Sequence, residues 1–182
     1  MDNIAGIDPE KLVFLDEAGS NLGMTPKYAR SVSGTRAFAK RPRNQGSNIS
    51  MIGAIRLRGF EAFNMCHGAV NGPTFLSFLK QDLVPKLEPG DVVIMDNCRT
   101  HHIAPVEQII QQAGARVVYL PPYHPELNPI EEAWSKLKHL LRKAQARTVS
   151  ALTEAAAAAK SKITISDIAG YFQHAGYGVV HS

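Results

Sequence analysis

Apolar positions along this chain fall into short unbroken runs and into wider helical stripes, and the two kinds of pattern predict different elements. Leu12 to Leu15 are apolar without interruption and run into Asp16 and Glu17, with Gly19 behind them. That predicts a short buried strand over 11–19. Residues 20–48 hold few large apolar clusters and read as a long excursion, with one short strand near Arg36 to Ala39. Residues 49–68 read as two strands joined near Arg58-Gly59 in a hairpin. Pro73 suits a first helical turn, and Phe75, Leu76, Leu79 and Leu83 form an amphipathic stripe that Pro85 should end. "DVVIMD" (91–96) is apolar on both faces, as in a central strand covered on both sides. A helix over 104–113 stopped by Gly114, and a strand at "RVVYL" (116–120), follow.

After the turn-rich connector "PPYHPELNP", Asn128 can cap a helix with Pro129 at its first position. Ile130, Trp134, Leu137 and Leu141 then have the 4-3-4 spacing of a buried helical stripe. An alanine-rich helix over 149–163 comes next, and Ser166 is placed to cap a last short helix ending near Gly176. Antiparallel strands come first and β-α-β units follow. The expected fold is α/β: one mixed sheet with helices on both faces, in a single domain over 1–182 with a basic insertion at about 20–48.

Composition changes this picture little. The 182 residues are 45% hydrophobic, enough for one sizeable core and too many for general disorder. There is no apolar run of the ~20 residues that cross a bilayer, and "MDNIAGIDPE" lacks a basic start and an apolar signal core. The reading is therefore cytoplasmic, with no membrane partner. Cys66 and Cys98 make no disulfide framework and read as free thiols.

Charge adds more through its placement than through its total of +4. The stretch 27–43 holds six Lys or Arg (Lys27, Arg30, Arg36, Lys40, Arg41, Arg43) and no acid, and 136–147 holds five (Lys136, Lys138, Arg142, Lys143, Arg147) and no acid. Such stretches suit a polyphosphate backbone, and equally a solvated loop and helix face. The candidate DNA contacts are Arg36, Lys40, Arg41, Arg43, Lys136 and Lys138.

The candidate chemistry lies in three carboxylates. Asp16 and Asp96 both end apolar runs, where desolvating an unpaired carboxylate costs several kcal/mol. If the two strands are neighbours, the two like charges need a shared counter-ion, and a divalent cation is the natural one. Glu131 lies in the first turn of the Asn128 helix, an end that tolerates negative charge, and points beside the buried stripe. Each acid alone has a plain structural reading as a turn former or a helix-end charge. Together they form a hard-oxygen site suited to magnesium or manganese. Glu17 should face away from Asp16, and Glu132 away from the stripe. Zinc is disfavoured: Cys66, His67, Cys98, His101 and His102 match no standard zinc spacing. His101 reads as a group supporting Asp96, as a DNA-phosphate donor, or as a plain helix-start residue.

"FLDEAG", "VIMDNCRTHH" and "YLPPYHPELNPIEEAWSKLK" resemble the three acid-bearing motifs of DDE transposases, closest to the bacterial insertion-sequence branch of the mariner-like superfamily. Thirty-four residues lie between Asp96 and Glu131, a gap characteristic of that superfamily, and it selects Glu131 over Glu132. The resemblance implies a ribonuclease H-like fold. It implies that Asp16, Asp96 and Glu131 are catalytic and bind two magnesium ions, with manganese able to substitute. It implies hydrolysis of a phosphodiester at an element end and transfer of the 3′ hydroxyl to target DNA, typically at a TA dinucleotide. Asn97 and His101 match polar positions after the second aspartate, Asn128 and Pro129 match those that set the last helix, and Trp134 matches a core position. The implied partners are double-stranded DNA at element ends and target, a second copy of the chain on DNA, and a separate or fused helix-turn-helix subunit. About ten residues precede the first catalytic strand, so such a domain is expected to be absent from this chain. The rival readings are another ribonuclease H-like nuclease or junction resolvase, and a non-catalytic DNA-binding derivative.

Overall fold

The computed structural model describes residues 6–38, 42–98, 101 and 105–178. Five strands form one sheet in the order β3-β2-β1-β4-β5. β1 (Leu12–Asn21) pairs antiparallel with β2 (Asn48–Arg56), and β2 with β3 (Gly59–His67). β4 (Val92–Met95) lies parallel to β1, and β5 (Arg116–Tyr119) parallel to β4. The expected mixed sheet is therefore present, with the hairpin turning at Leu57-Arg58 into Gly59, whose φ of 127° suits a glycine.

Alternation along β1 divides the core. Leu12, Phe14 and Ala18 face one side and pack with α3 (Ile130–Ala144), α4 (Val149–Lys160) and α5 (Ile165–His174). Val13 and Leu15 face the other and pack with α1 (Gly72–Phe78) and α2 (Pro105–Gln112). Helices cover both faces, which is why β4 is apolar at every position and wholly buried. The stripe Ile130, Trp134, Leu137 and Leu141 is buried as its spacing predicts, and Gly114 ends the chain's turn after α2 at φ 77°.

Five local expectations change. β1 does not end near Asp16: it runs on to Asn21, because β2 continues to pair with it as far as Asn48 while pairing with β4 stops at Leu15–Met95. Asp16 thus stands mid-strand, at the point where one neighbour stops. Residues 36–38 form no strand, and Ala39 lies outside the described residues. The helix after Pro73 does not run regularly to Pro85. It widens into a π turn over Leu79–Leu83 and tightens into a 3-10 turn over Val84–Lys86. A proline lacks the N–H that a regular helix needs four residues after Gln81, so the winding changes upstream of it. Asn128 does not cap α3 with its side chain; its carbonyl accepts the Glu131 N–H at 3.1 Å. The last helix is capped by Thr164 with Asp167 in a capping box, two residues before Ser166.

Candidate active site

The register explains how the acids meet. β1 and β4 are parallel neighbours, paired through Leu15–Met95, so the next residue of each, Asp16 and Asp96, leaves the pairing side by side. Glu131 comes from the first turn of α3, which packs on β1. The three acids line one cleft of about 480 Å³, together with Asn97, Asn128 and the Leu120 to Pro125 connector. No Lys or Arg lines that cleft among the described residues.

Asp16 is 7% exposed and its carboxyl is pushed up to about 7. Burial is the largest cause, followed by the charge of Glu131, with Glu17 and Asp96 adding to it. Its Oδ2 accepts a hydrogen bond from Trp134 Nε1 at 3.1 Å. Trp134 is fully buried and packs against Phe60 and Phe63 with centroids 6.0 and 6.2 Å away. Gly53, the partner of Asp16 across the β1–β2 ladder, makes the approach possible: a Cβ there would stand 2.8 Å from Trp134 Cη2. Sequence reasoning gave Trp134 packing alone, and the bond to Asp16 is an addition to that role.

Asp96 is held from the opposite face. His101, wholly buried, places Nδ1 2.7 Å from Asp96 Oδ1 and Nε2 3.0 Å from Glu17 Oε1. Its ring lies against Phe75 at 4.7 Å, and Tyr119 donates a hydrogen bond to its carbonyl at 3.1 Å. Burial opposes the imidazolium, but the bonds to Asp96 and Glu17 outweigh it and hold His101 up to about 10. Glu17 does face away from Asp16, as alternation requires, yet it is an anchor for His101 and so belongs to the site. Nothing in a one-dimensional pattern links residues 17 and 101; only the parallel pairing brings them together. Asp96 also accepts the Cys98 N–H at 3.1 Å. Glu132, the other adjacent acid, pairs with His174 instead.

The chemistry of the donor set fits a hard divalent cation. Carboxylates share a cleft that no Lys or Arg lines among the described residues, and among those residues the buried amide oxygen of Asn128 has no hydrogen-bond partner. The acids line the cleft without closing on one point: among the described residues no three metal-ligating side chains are gathered tightly enough to grip one ion. Tyr123 stands on the rim, 98% exposed, with φ at 64°. A tyrosine in the left-handed region is uncommon and carries a conformational cost.

The expected DNA contacts separate. Arg36 and Arg43 are exposed, with Arg36 over the Phe38 ring at 5.9 Å. Lys138 is half-buried on α3. Lys136 is committed elsewhere, 2.5 Å from Asp167 Oδ2. Lys40 and Arg41 lie outside the described residues, as does His102.

The family model of the DDE superfamily endonucleases matches residues 11–153, which contain all three acids. The chain belongs to the DDE endonuclease superfamily. Solved structures of the Mos1 mariner transposase share its fold at low identity. A pre-cleavage Mos1 transpososome superposes with a TM-score of 0.72 at 15% identity, covering 92% of this chain and 52% of that one. The mariner Mos1 paired end complex with Mg gives 0.64 at 18%, covering 90% and 53%. The catalytic domain of Mos1 mariner transposase gives 0.66 at 13%, covering 91% and 76%. This DDE chain thus spans about half the length of the full transposases it matches. No curated protein sequence matches it. Among the described residues no helix is long and apolar enough to cross a membrane.

Proposed function

We propose that this DDE chain is the catalytic domain of a DNA transposase: a metal-dependent endonuclease that hydrolyses a phosphodiester at an element end and transfers the freed 3′ hydroxyl to target DNA. The observation that carries the reading is the cleft in which Asp16, Asp96 and Glu131 meet without a Lys or Arg among the described residues. Those three carboxylates would hold the metal, magnesium by preference, with manganese an acceptable substitute for oxygen donors. A divalent cation bound there lowers the pKa of a water and offsets charge on the phosphate. The protein's own part is positional. Two apolar strands fix the aspartates, Trp134 orients Asp16 through Oδ2, and His101, itself anchored by Glu17, orients Asp96 through Oδ1. Asn97 and Asn128 line the same cleft as neutral polar groups for the metal shell or the phosphate.

The Mos1 assemblies of the same fold are a transpososome and a paired end complex. On that likeness, the chain acts on double-stranded DNA as a homodimer, with end recognition supplied by a helix-turn-helix part, in the bacterial cytoplasm on the nucleoid. The test is strand transfer. With pre-cleaved DNA ends, a target duplex and magnesium, the chain should join the 3′ ends to the target. Cleavage without joining would make it a ribonuclease H-like nuclease or resolvase instead.

A further inference from the structure

A second cavity, of about 630 Å³, lies at the far end of β1 between the excursion and α3, and its lining includes Gly19, Asn21, Lys27, Gln45, Lys138 and Arg142. It is a built feature. The two limbs of the excursion close on each other at its neck: a Cβ on Gly23 would meet Gln45 Cα at 2.7 Å, and one on Gly46 would meet Leu22 Cβ at 2.8 Å. Arg147, in the connection just before α4, ties that neck down by donating to the carbonyls of Leu22 and Met24 at 3.0 and 2.9 Å. Among the described residues, three cations and no acid line the cavity. Of the other cations, Lys11, Arg56, Arg58 and Lys136 stand in ion pairs. Lys27, Lys138 and Arg142 have no ion pair among the described residues.

Helical geometry connects this cavity to the acids. Residues seven and eleven positions beyond Glu131 return to within about 20° of the same line on α3, so Glu131, Lys138 and Arg142 form one row. At about 1.5 Å per residue the two cations lie roughly 10 and 16 Å along the helix from Glu131. DNA phosphates advance about 3.4 Å per nucleotide along one strand, so that row spans roughly three to five base pairs.

We infer that the cavity beneath the excursion neck is a seat for the DNA backbone, and that duplex leaving the carboxylate cleft runs along α3 over Lys138 and Arg142. The seat rests on the reading of this chain as a DNA-acting enzyme, and it gives that enzyme a direction for its substrate. Lys136, two residues from Lys138 but bound to Asp167, is outside it.

The experiment is fluorescence anisotropy of a labelled duplex, titrated with the chain over a range of salt without divalent metal. The variant Lys138→Gln/Arg142→Gln is compared with Lys80→Gln/Lys162→Gln, which removes the same charge from exposed positions on other elements. Each phosphate contact contributes about 0.9 to the slope of log K against log salt, so the first variant should flatten it by about 2 and the second should leave it unchanged. An unchanged slope in the first variant, equal loss in both, or no binding by the unaltered chain would each overturn the seat. Thermal melting of both variants keeps misfolding apart from lost contacts. The catalytic reading stands or falls separately on metal-dependent joining, which a chain with an intact seat could still fail.

Discussion

At one end of the parallel strands, Asp91 is completely buried against Arg56 at 2.9 Å, and Glu61 approaches the same guanidinium at 2.8 Å. Lys11 and Arg58 reach Glu88 at the rim. Three acids face three cations there. At the other end, a few residues along the same strands, Asp16, Glu17, Asp96 and Glu131 gather with His101 as the one cationic group recorded against them among the described residues. Both ends bury carboxylate, yet one is neutralised within the fold and the other, among the described residues, sets four acids against one imidazole. The second arrangement raises the energy of the metal-free protein, and a fold retains such a cluster most economically where a ligand cation completes it.

Breaking each end should therefore fail in a different way. Asp96→Asn should cut metal-dependent cleavage by about 10⁴-fold, which is about 5 kcal/mol at 1.36 kcal/mol per decade, while the protein without metal stays folded and melts cooperatively, with His101 still held by Glu17. Single-turnover cleavage in magnesium measures the first and a thermal scan in chelator the second. Parent-like cleavage would remove Asp96 from the chemistry. At the balanced end, Arg56→Met leaves the buried Asp91 with only Lys11, 3.8 Å from its Oδ1, and the Glu88 N–H, and should cost about 3–5 kcal/mol of folding stability in a urea titration. Magnesium should not restore it. A loss below about 1 kcal/mol would mean that Asp91 finds another partner and that this end is not held by its ion pairs.

The acid end should also announce itself through pH. Asp16 in the folded chain stays protonated up to about 7, against 3.8 as its ordinary value. The folded state then holds more protons than the unfolded state between those values, so stability falls as pH rises through that window. His101 acts in the same direction over a higher range: held up to about 10 against an ordinary 6.5, it contributes stability that is complete below 6.5 and lost as pH rises through 10. In chelator, Asp16→Asn should remove the lower slope and gain on the order of 2 kcal/mol at pH 8. Saturating magnesium should flatten that slope in the parent and leave the variant unmoved. An equal slope in both proteins without metal would mean that Asp16 ionises normally.

The sheet was legible in the sequence because it rests on local rules. Unbroken apolar runs mark strands buried on both faces and the 4-3-4 spacing marks the inner face of α3, whereas the choice of Glu131 over Glu132 comes from the family resemblance, through the thirty-four-residue gap. What escaped is non-local. Whether β1 stops at Asp16 depends on how far β2 continues beside it, and no pattern within residues 11–19 records that. Glu17 looked idle because alternation sends it away from Asp16, which is correct; its partner His101 arrives from 84 residues further on. Asn128 carries a good capping residue's chemistry, but its carbonyl takes the helix N–H and its side chain is left facing the cleft.

Trp134 is the sharpest instance, because its burial and its bond to Asp16 come from the same packing and have to be separated by experiment. Trp134→Phe keeps an aromatic ring against Phe60 and Phe63 but removes the N–H that reaches Asp16 Oδ2. A hydrogen bond to a charged group contributes about 1.5–3 kcal/mol, so the magnesium concentration for half-maximal cleavage should rise by about tenfold or somewhat more. Lost ring volume alone would lower the melting temperature without moving that concentration. Gly53→Ala approaches the same point from the other strand: its Cβ must displace Trp134, so the N–H remains but no longer meets the carboxylate squarely. It should raise the magnesium requirement in the same direction, by less. If both variants melt lower yet keep the parent's magnesium half-saturation within about twofold, well under the 1.5 kcal/mol of the weakest such bond, Trp134 packs and does nothing more.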